Sequence, residues 1–136
     1  MLRNMFRVLI ADDDAGFRKA VRKLLQAHSP TIELREASSG KETLQQLDGL
    51  DLLFLDISLP QENGLQLAAK IKLERPHIAV SILTIHDAPE YRQAAFQNGA
   101  DYFVSKGAPA EHILEVVRSA IGDRQARSPK PALSGS

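Results

Sequence analysis

Leu52-Leu53-Phe54-Leu55 runs straight into Asp56, and Ile57-Ser58-Leu59-Pro60 follows, with Gly64 shortly after. Four apolar residues in a row, without alternation, suit a central strand of a parallel sheet, because helices cover both faces of such a strand. Asp56 then falls at the strand's carboxyl end, where functional groups of open α/β sheets collect. The same kind of run occurs on either side. Phe6-Arg7-Val8-Leu9-Ile10-Ala11 reads as an earlier strand and Ala79-Val80-Ser81-Ile82-Leu83 as a later one. Ile32 to Ala37 alternates apolar with charged residues, as an outer strand would, and Asp101-Tyr102-Phe103-Val104 is the last.

Amphipathic stretches separate these runs. Phe17, Val21, Leu24 and Leu25 make one apolar helical stripe. Leu44 and Leu47 form a weaker one after Gly40; Leu67, Ala68 and Ile71 follow Gly64; Tyr91, Ala94 and Ala95 follow Pro89. Ile113, Val116, Val117, Ala120 and Ile121 follow Pro109. Pro89 and Pro109 are placed where a first helical turn tolerates proline, and Gly99 where a helix would stop. The alternation predicts an α/β fold of five strands and five helices. After Gly122 the apolar pattern gives way to Pro, Ser and charge, so residues 1–122 read as the domain and residues 123–136 as a linker or disordered tail.

A chain of 136 residues without repeats fits one domain and buries about two-thirds of its unfolded surface. Seventeen basic and seventeen acidic side chains balance, so no global field draws the chain to nucleic acid or to an anionic membrane. The absence of cysteine excludes disulfides, thiolate metal sites and thiol redox chemistry, and fits a cytoplasmic protein. No apolar stretch reaches membrane-spanning length, and Phe6 to Ala11 is too short for a signal sequence, so no membrane contact is expected.

In a parallel sheet the residues just after each strand converge. After the first come Asp12, Asp13 and Asp14; after the third run, Asp56; after the fourth, Thr84; after the fifth, Ser105 and Lys106. Two carboxylates about 4 Å apart repel by roughly 4 kcal/mol at an effective dielectric of about 20. Several meeting at one edge call for a cation, and all-oxygen ligation suits Mg²⁺. A carboxylate beside Mg²⁺, with an ammonium and a hydroxyl at hand, is equipped for aspartyl-phosphate chemistry.

Ile10-Ala11-Asp12-Asp13, Leu55-Asp56-Ile57-Ser58-Leu59-Pro60 with Gly64, Leu83-Thr84 and Phe103-Val104-Ser105-Lys106 occur in the order and spacing of the receiver domain of bacterial two-component response regulators. The chain resembles that family over roughly residues 6 to 121. The resemblance implies a flavodoxin-like doubly wound five-stranded parallel sheet. It also implies that Asp56 accepts a phosphoryl group from a sensor histidine kinase or phosphotransfer protein, and it leaves a homodimer open. Asp13, Asp56 and the Ser58 carbonyl would bind Mg²⁺ directly and Asp12 through water. Lys106 and Thr84 would hold phosphoryl oxygens, and Thr84 with Phe103 would form the switch. In that role Phe103 turns inward on phosphorylation, while Tyr102 points to the other face. The domain would catalyse its own Mg²⁺-dependent phosphorylation and dephosphorylation rather than act on an outside substrate. The Leu-Thr-Ile-His-Asp run and Ser105-Lys106-Gly107 are similar to the branch with a C-terminal helix-turn-helix output domain. DNA contact is therefore expected only through an output domain absent from this chain.

Plainer readings exist for single residues. Asp14 suits a helix cap better than a ligand, Asp56 alone could be a turn residue, and Phe103 could be core. His86 and His112 lack a partner histidine at ligand spacing. A haloacid-dehalogenase-type hydrolase would need an acid two residues after its nucleophile, where Ser58 stands. A flavodoxin-type carrier would not place three carboxylates against its flavin phosphate. A non-phosphorylated module would lack Asp56 or Lys106. Ile85, where the family favours a small residue, is expected to slow phosphoryl loss.

Overall fold

A computed structural model of the protein describes residues 5–127. Five strands, β1 (Phe6–Ala11), β2 (Ile32–Ala37), β3 (Leu52–Asp56), β4 (Ala79–Thr84) and β5 (Tyr102–Ser105), form one sheet in the order β2-β1-β3-β4-β5. Every pairing is parallel. The helices are α1 (Ala15–His28), α2 (Gly40–Leu44), α3 (Gly64–Glu74), α4 (Pro89–Gln97) and α5 (Glu111–Arg127).

Strand composition sets strand position. Leu52, Leu53, Phe54 and Leu55 are fully buried at the sheet's centre, each side chain contributing about 1.5–3 kcal/mol. β2, with its charged alternation, is an edge strand and half-buried up to Ala37. Leu9, Leu53, Leu55, Val80, Ile82 and Phe103 pack on the face covered by α3 and α4, with Leu44 of α2 at its margin. Val8, Ile10, Phe54, Leu83 and Val104 pack on the other, against Val21 and Leu25 of α1 and Ile113 to Ala120 of α5. The sheet is doubly wound, as expected.

Polar caps start α1, α2 and α3 at the sheet's carboxyl edge. The Asp14 carboxylate accepts from the Gly16 and Phe17 N–H groups, Ser39 caps α2, Asn63 caps α3, and Pro89 opens α4. A Cβ on Gly64 would lie 2.3 Å from the Ile57 Cα, so only glycine allows α3 to start against the loop after β3. Gly99, at φ 91°, ends α4 in the left-handed region.

Three boundaries differ from the sequence reading. α2 stops at Leu44, and Leu47 is buried from the turn beyond it. α5 begins at Glu111, two residues past Pro109, after a turn in which the His112 N–H donates to the Pro109 carbonyl. Its far end corrects the reading of residues 123–127 as linker: the helix passes Gly122 and runs to Arg127. Polar contacts hold this extension where apolar periodicity stops. Tyr102 donates a hydrogen bond to Asp123, and Arg124 pairs with Asp51 at 3.1 Å and stacks 4.9 Å from the Phe6 ring. Residues 128–136 of the expected tail lie outside the described residues.

Candidate functional site

Three strand ends deliver the acidic cluster. The Asp12 N–H donates to the Ala37 carbonyl at 2.9 Å, which extends the β1–β2 pairing by one residue and carries Asp12 inward. Asp12 is fully buried, Asp56 is 3% exposed, and Asp13 faces solvent. One carboxylate oxygen from each lies within 4.8 Å of the others. Asp14 is not part of the cluster; it caps α1, as its position predicted.

Lys106 reaches into the cluster from the loop after β5. Its Nζ donates to Asp56 Oδ2 at 3.0 Å and lies 2.6 Å from Asp12 Oδ2. The other Asp56 oxygen, Oδ1, accepts from the Ser58 N–H at 2.8 Å. Asp12 Oδ1 accepts from the Asp14 N–H at 2.9 Å. Burial pushes the Asp12 carboxyl above its ordinary range, and the Asp56 charge adds to that, more than Lys106 and the Asp14 N–H offset. Burial works to lower the Lys106 pKa, but bonds to Asp12 and Asp56 and their charges outweigh it, so the ammonium is held more firmly. One ammonium among three carboxylates leaves the edge short of positive charge. Three hard oxygen donors within reach of one another fit a divalent cation of the Mg²⁺ kind.

Thr84 is buried at the end of β4, and its Oγ1 accepts from the His86 N–H at 2.9 Å. A backbone bond ties the two loops, with the Lys106 N–H donating to the Thr84 carbonyl at 2.8 Å. Phe103 already lies inward, 9% exposed in the core beneath α3 and α4, while Tyr102 packs on the opposite face as expected. His86 stacks on Tyr91, with ring centroids 5.1 Å apart.

Two ring contacts with a cation escaped the sequence reading. The Phe17 ring, assigned only to the stripe of α1, lies 4.9 Å from Lys106 Nζ, and the Arg92 guanidinium on α4 lies 4.8 Å from the Phe103 ring. An aromatic in the first turn after the acidic run marked the first; nothing local marked the second.

Comparisons with known proteins agree with this geometry. A family model described as the response regulator receiver domain matches residues 8–118. The alginate biosynthesis transcriptional regulatory protein AlgB of Pseudomonas putida is 31% identical over 133 residues, covering 97% of this chain and 30% of AlgB. The oxygen regulatory protein NreC of Staphylococcus haemolyticus is 33% identical over 116 residues, covering 83% of this chain and 54% of NreC. The chain thus spans from under a third to just over half of the length of these relatives. The crystal structure of the response regulator DrrB of Thermotoga maritima superposes with a TM-score of 0.79 at 27% identity, covering 88% of this chain and 54% of DrrB. No helix among the described residues is long and apolar enough to cross a membrane. A doubly wound sheet with an acidic pair, a strand-end aspartate and a lysine at one edge, matched by this family model along most of its length, belongs to the response regulator receiver domain family, in homology with transcriptional response regulators.

Proposed function

We propose that Asp56 accepts a phosphoryl group from the phosphohistidine of a sensor histidine kinase or phosphotransfer protein in the cytoplasm. The observation that carries this reading is the Asp56 carboxylate itself. It is buried at a strand end, with one oxygen on the Ser58 N–H, the other on Lys106, and two further carboxylates beside it. An Asp56 oxygen forms the new P–O bond as the donor's P–N bond breaks, and the imidazole leaves as a neutral group once protonated. Mg²⁺, held by Asp13, Asp56 and the Ser58 carbonyl, with Asp12 acting through water, would neutralise charge on the transferring group. Lys106 moves with that charge, exchanging carboxylate for phosphoryl oxygens.

The output follows from Thr84. A phosphorylated Asp56 carries roughly two negative charges on its phosphoryl oxygens in place of the single carboxylate charge, which attract the Thr84 hydroxyl away from the His86 N–H. The β4–α4 loop then shifts, and Phe103 is fixed in its inward position under Arg92. The surface that changes is α4, β5 and α5, read by a transcriptional output domain or a second copy of the receiver. Incubation with acetyl phosphate and Mg²⁺, followed by intact mass, should show one added phosphoryl group, and EDTA should abolish it. Equal labelling without any divalent ion would refute the mechanism.

A further inference from the structure

Among the described residues, Arg18 is the one side chain outside the acidic cluster that bonds to the main chain within it. Its Nη1 donates to the Asp12 carbonyl at 2.7 Å, while its Nε donates to Glu36 Oε1 at 2.9 Å. Glu36 is part of the sheet, paired in register with Ile10, and its second oxygen accepts from Arg22 at 2.8 Å. The guanidinium is therefore braced against β2, and its rigid fork fixes the direction of the bond to the carbonyl. That carbonyl belongs to the planar peptide joining Asp12 to Asp13. Turning that plane about the Cα–C bond of Asp12 would swing Asp13, and with it the Asp13 carboxylate, relative to the Asp12 carboxylate. The Asp12 N–H is held by Ala37, so Arg18 adds an anchor on the other side of the Asp12 Cα.

We propose that Arg18 is a positioning residue for the cation site, holding the Asp12–Asp13 peptide plane so that both carboxylates converge with Asp56. The proposal rests on the reading of the cluster as a Mg²⁺ site. Arg22 provides an internal control, because it shares Glu36 but reaches only the Leu34 carbonyl, at 3.4 Å, and not Asp12.

The test is titration of the wild type, Arg18→Met and Arg22→Met with MgCl₂, followed by the amide signals of residues 12–14 and 56–58. Methionine keeps an unbranched apolar stem and removes the donors. Arg18→Met should bind Mg²⁺ about tenfold more weakly, the scale on which residues behind metal ligands act. Arg22→Met, which loses a comparable tie to Glu36, should bind within about twofold of wild type. In the metal-free protein the Asp13 amide should exchange faster in Arg18→Met alone. Arg18→Lys keeps the pairing with Glu36 but has no second nitrogen for the carbonyl, so it should also weaken binding; it decides the matter if the methionine variant does not fold. Wild-type affinity in the Arg18 variants, or equal weakening in Arg22→Met, would overturn the proposal and leave the metal site standing. Failure of the wild type to bind Mg²⁺ would overturn the metal site and the proposal with it.

Discussion

Ile85 follows Thr84 directly, and its side chain is 70% exposed at the carboxyl end of β4 rather than folded into the core. In-line hydrolysis of an aspartyl phosphate needs water on the side opposite the leaving carboxylate, and on the proposed function a branched side chain following Thr84 would obstruct that approach. Ile85→Ala should therefore lose its phosphoryl group roughly threefold to tenfold faster, a barrier change of up to about 1.4 kcal/mol. Its unfolding midpoint should hardly move, because the side chain is mostly in solvent. An alanine variant that dephosphorylates at the wild-type rate would show that access at this position is not limiting. Single residues were legible where they stand next to a strand run. Asp12, Asp13, Asp56 and Lys106 were placed by that adjacency alone, and the structure brings them together. The hydrogen bond of the Thr84 hydroxyl was not legible, because it depends on a loop whose conformation the strand pattern does not specify, whereas the burial of Phe103 matches the plainer reading of it as core.

At the scale of elements, β2 is tied to α1 through Glu36, which holds Arg18 and Arg22 together. Burial pushes the Glu36 carboxyl upward, but the hydrogen bonds from Arg22 and Arg18 and their charges outweigh it, so its pKa lies below the ordinary 4.5. A carboxyl depressed in the folded state contributes stability above its unfolded pKa and loses it as pH falls through the folded value. The difference in unfolding free energy between wild type and Glu36→Gln should be about 1 kcal/mol near neutral pH, allowing for the partial exposure of the group. It should shrink as pH drops below 4.5. A gap that stays constant down to the acid transition would show that the pair does not titrate with folding. The extension of α5 illustrates what elements hide. Apolar spacing ends at Ile121, and the last turn is held by Asp123 and Arg124, whose partners Tyr102, Asp51 and Phe6 are distant in sequence. Hydrophobic periodicity cannot register a helix end fastened by polar contacts. β2 was the converse case, since its charged alternation announced an edge strand.

Across the whole molecule, the carboxyl edge of the sheet carries an electrostatic load, with three carboxylates facing one ammonium. Burial and the neighbouring Asp56 charge keep Asp12 above its ordinary range, and Lys106 offsets only part of this. A cation that binds only the folded state stabilises it by mass action, about 2.7 kcal/mol at a hundred times its Kd. Mg²⁺ should therefore raise the Tm by several degrees for a domain of this size. Asp13→Asn, which removes an exposed member of the cluster, should blunt that rise with little effect on the metal-free protein. An unchanged Tm in saturating Mg²⁺ would contradict the reading of the cluster as a cation site. Asp56 is where the fold and the proposed cation site meet, and its proposed phosphorylation is open to a direct measurement: mass spectrometry of wild type and Asp56→Asn after acetyl phosphate and Mg²⁺, with peptide mapping of any modified residue. Wild type should gain one phosphoryl group on the peptide containing Asp56, and Asp56→Asn should gain none at a comparable rate. An asparagine variant that labels as fast as wild type would contradict Asp56 as the acceptor.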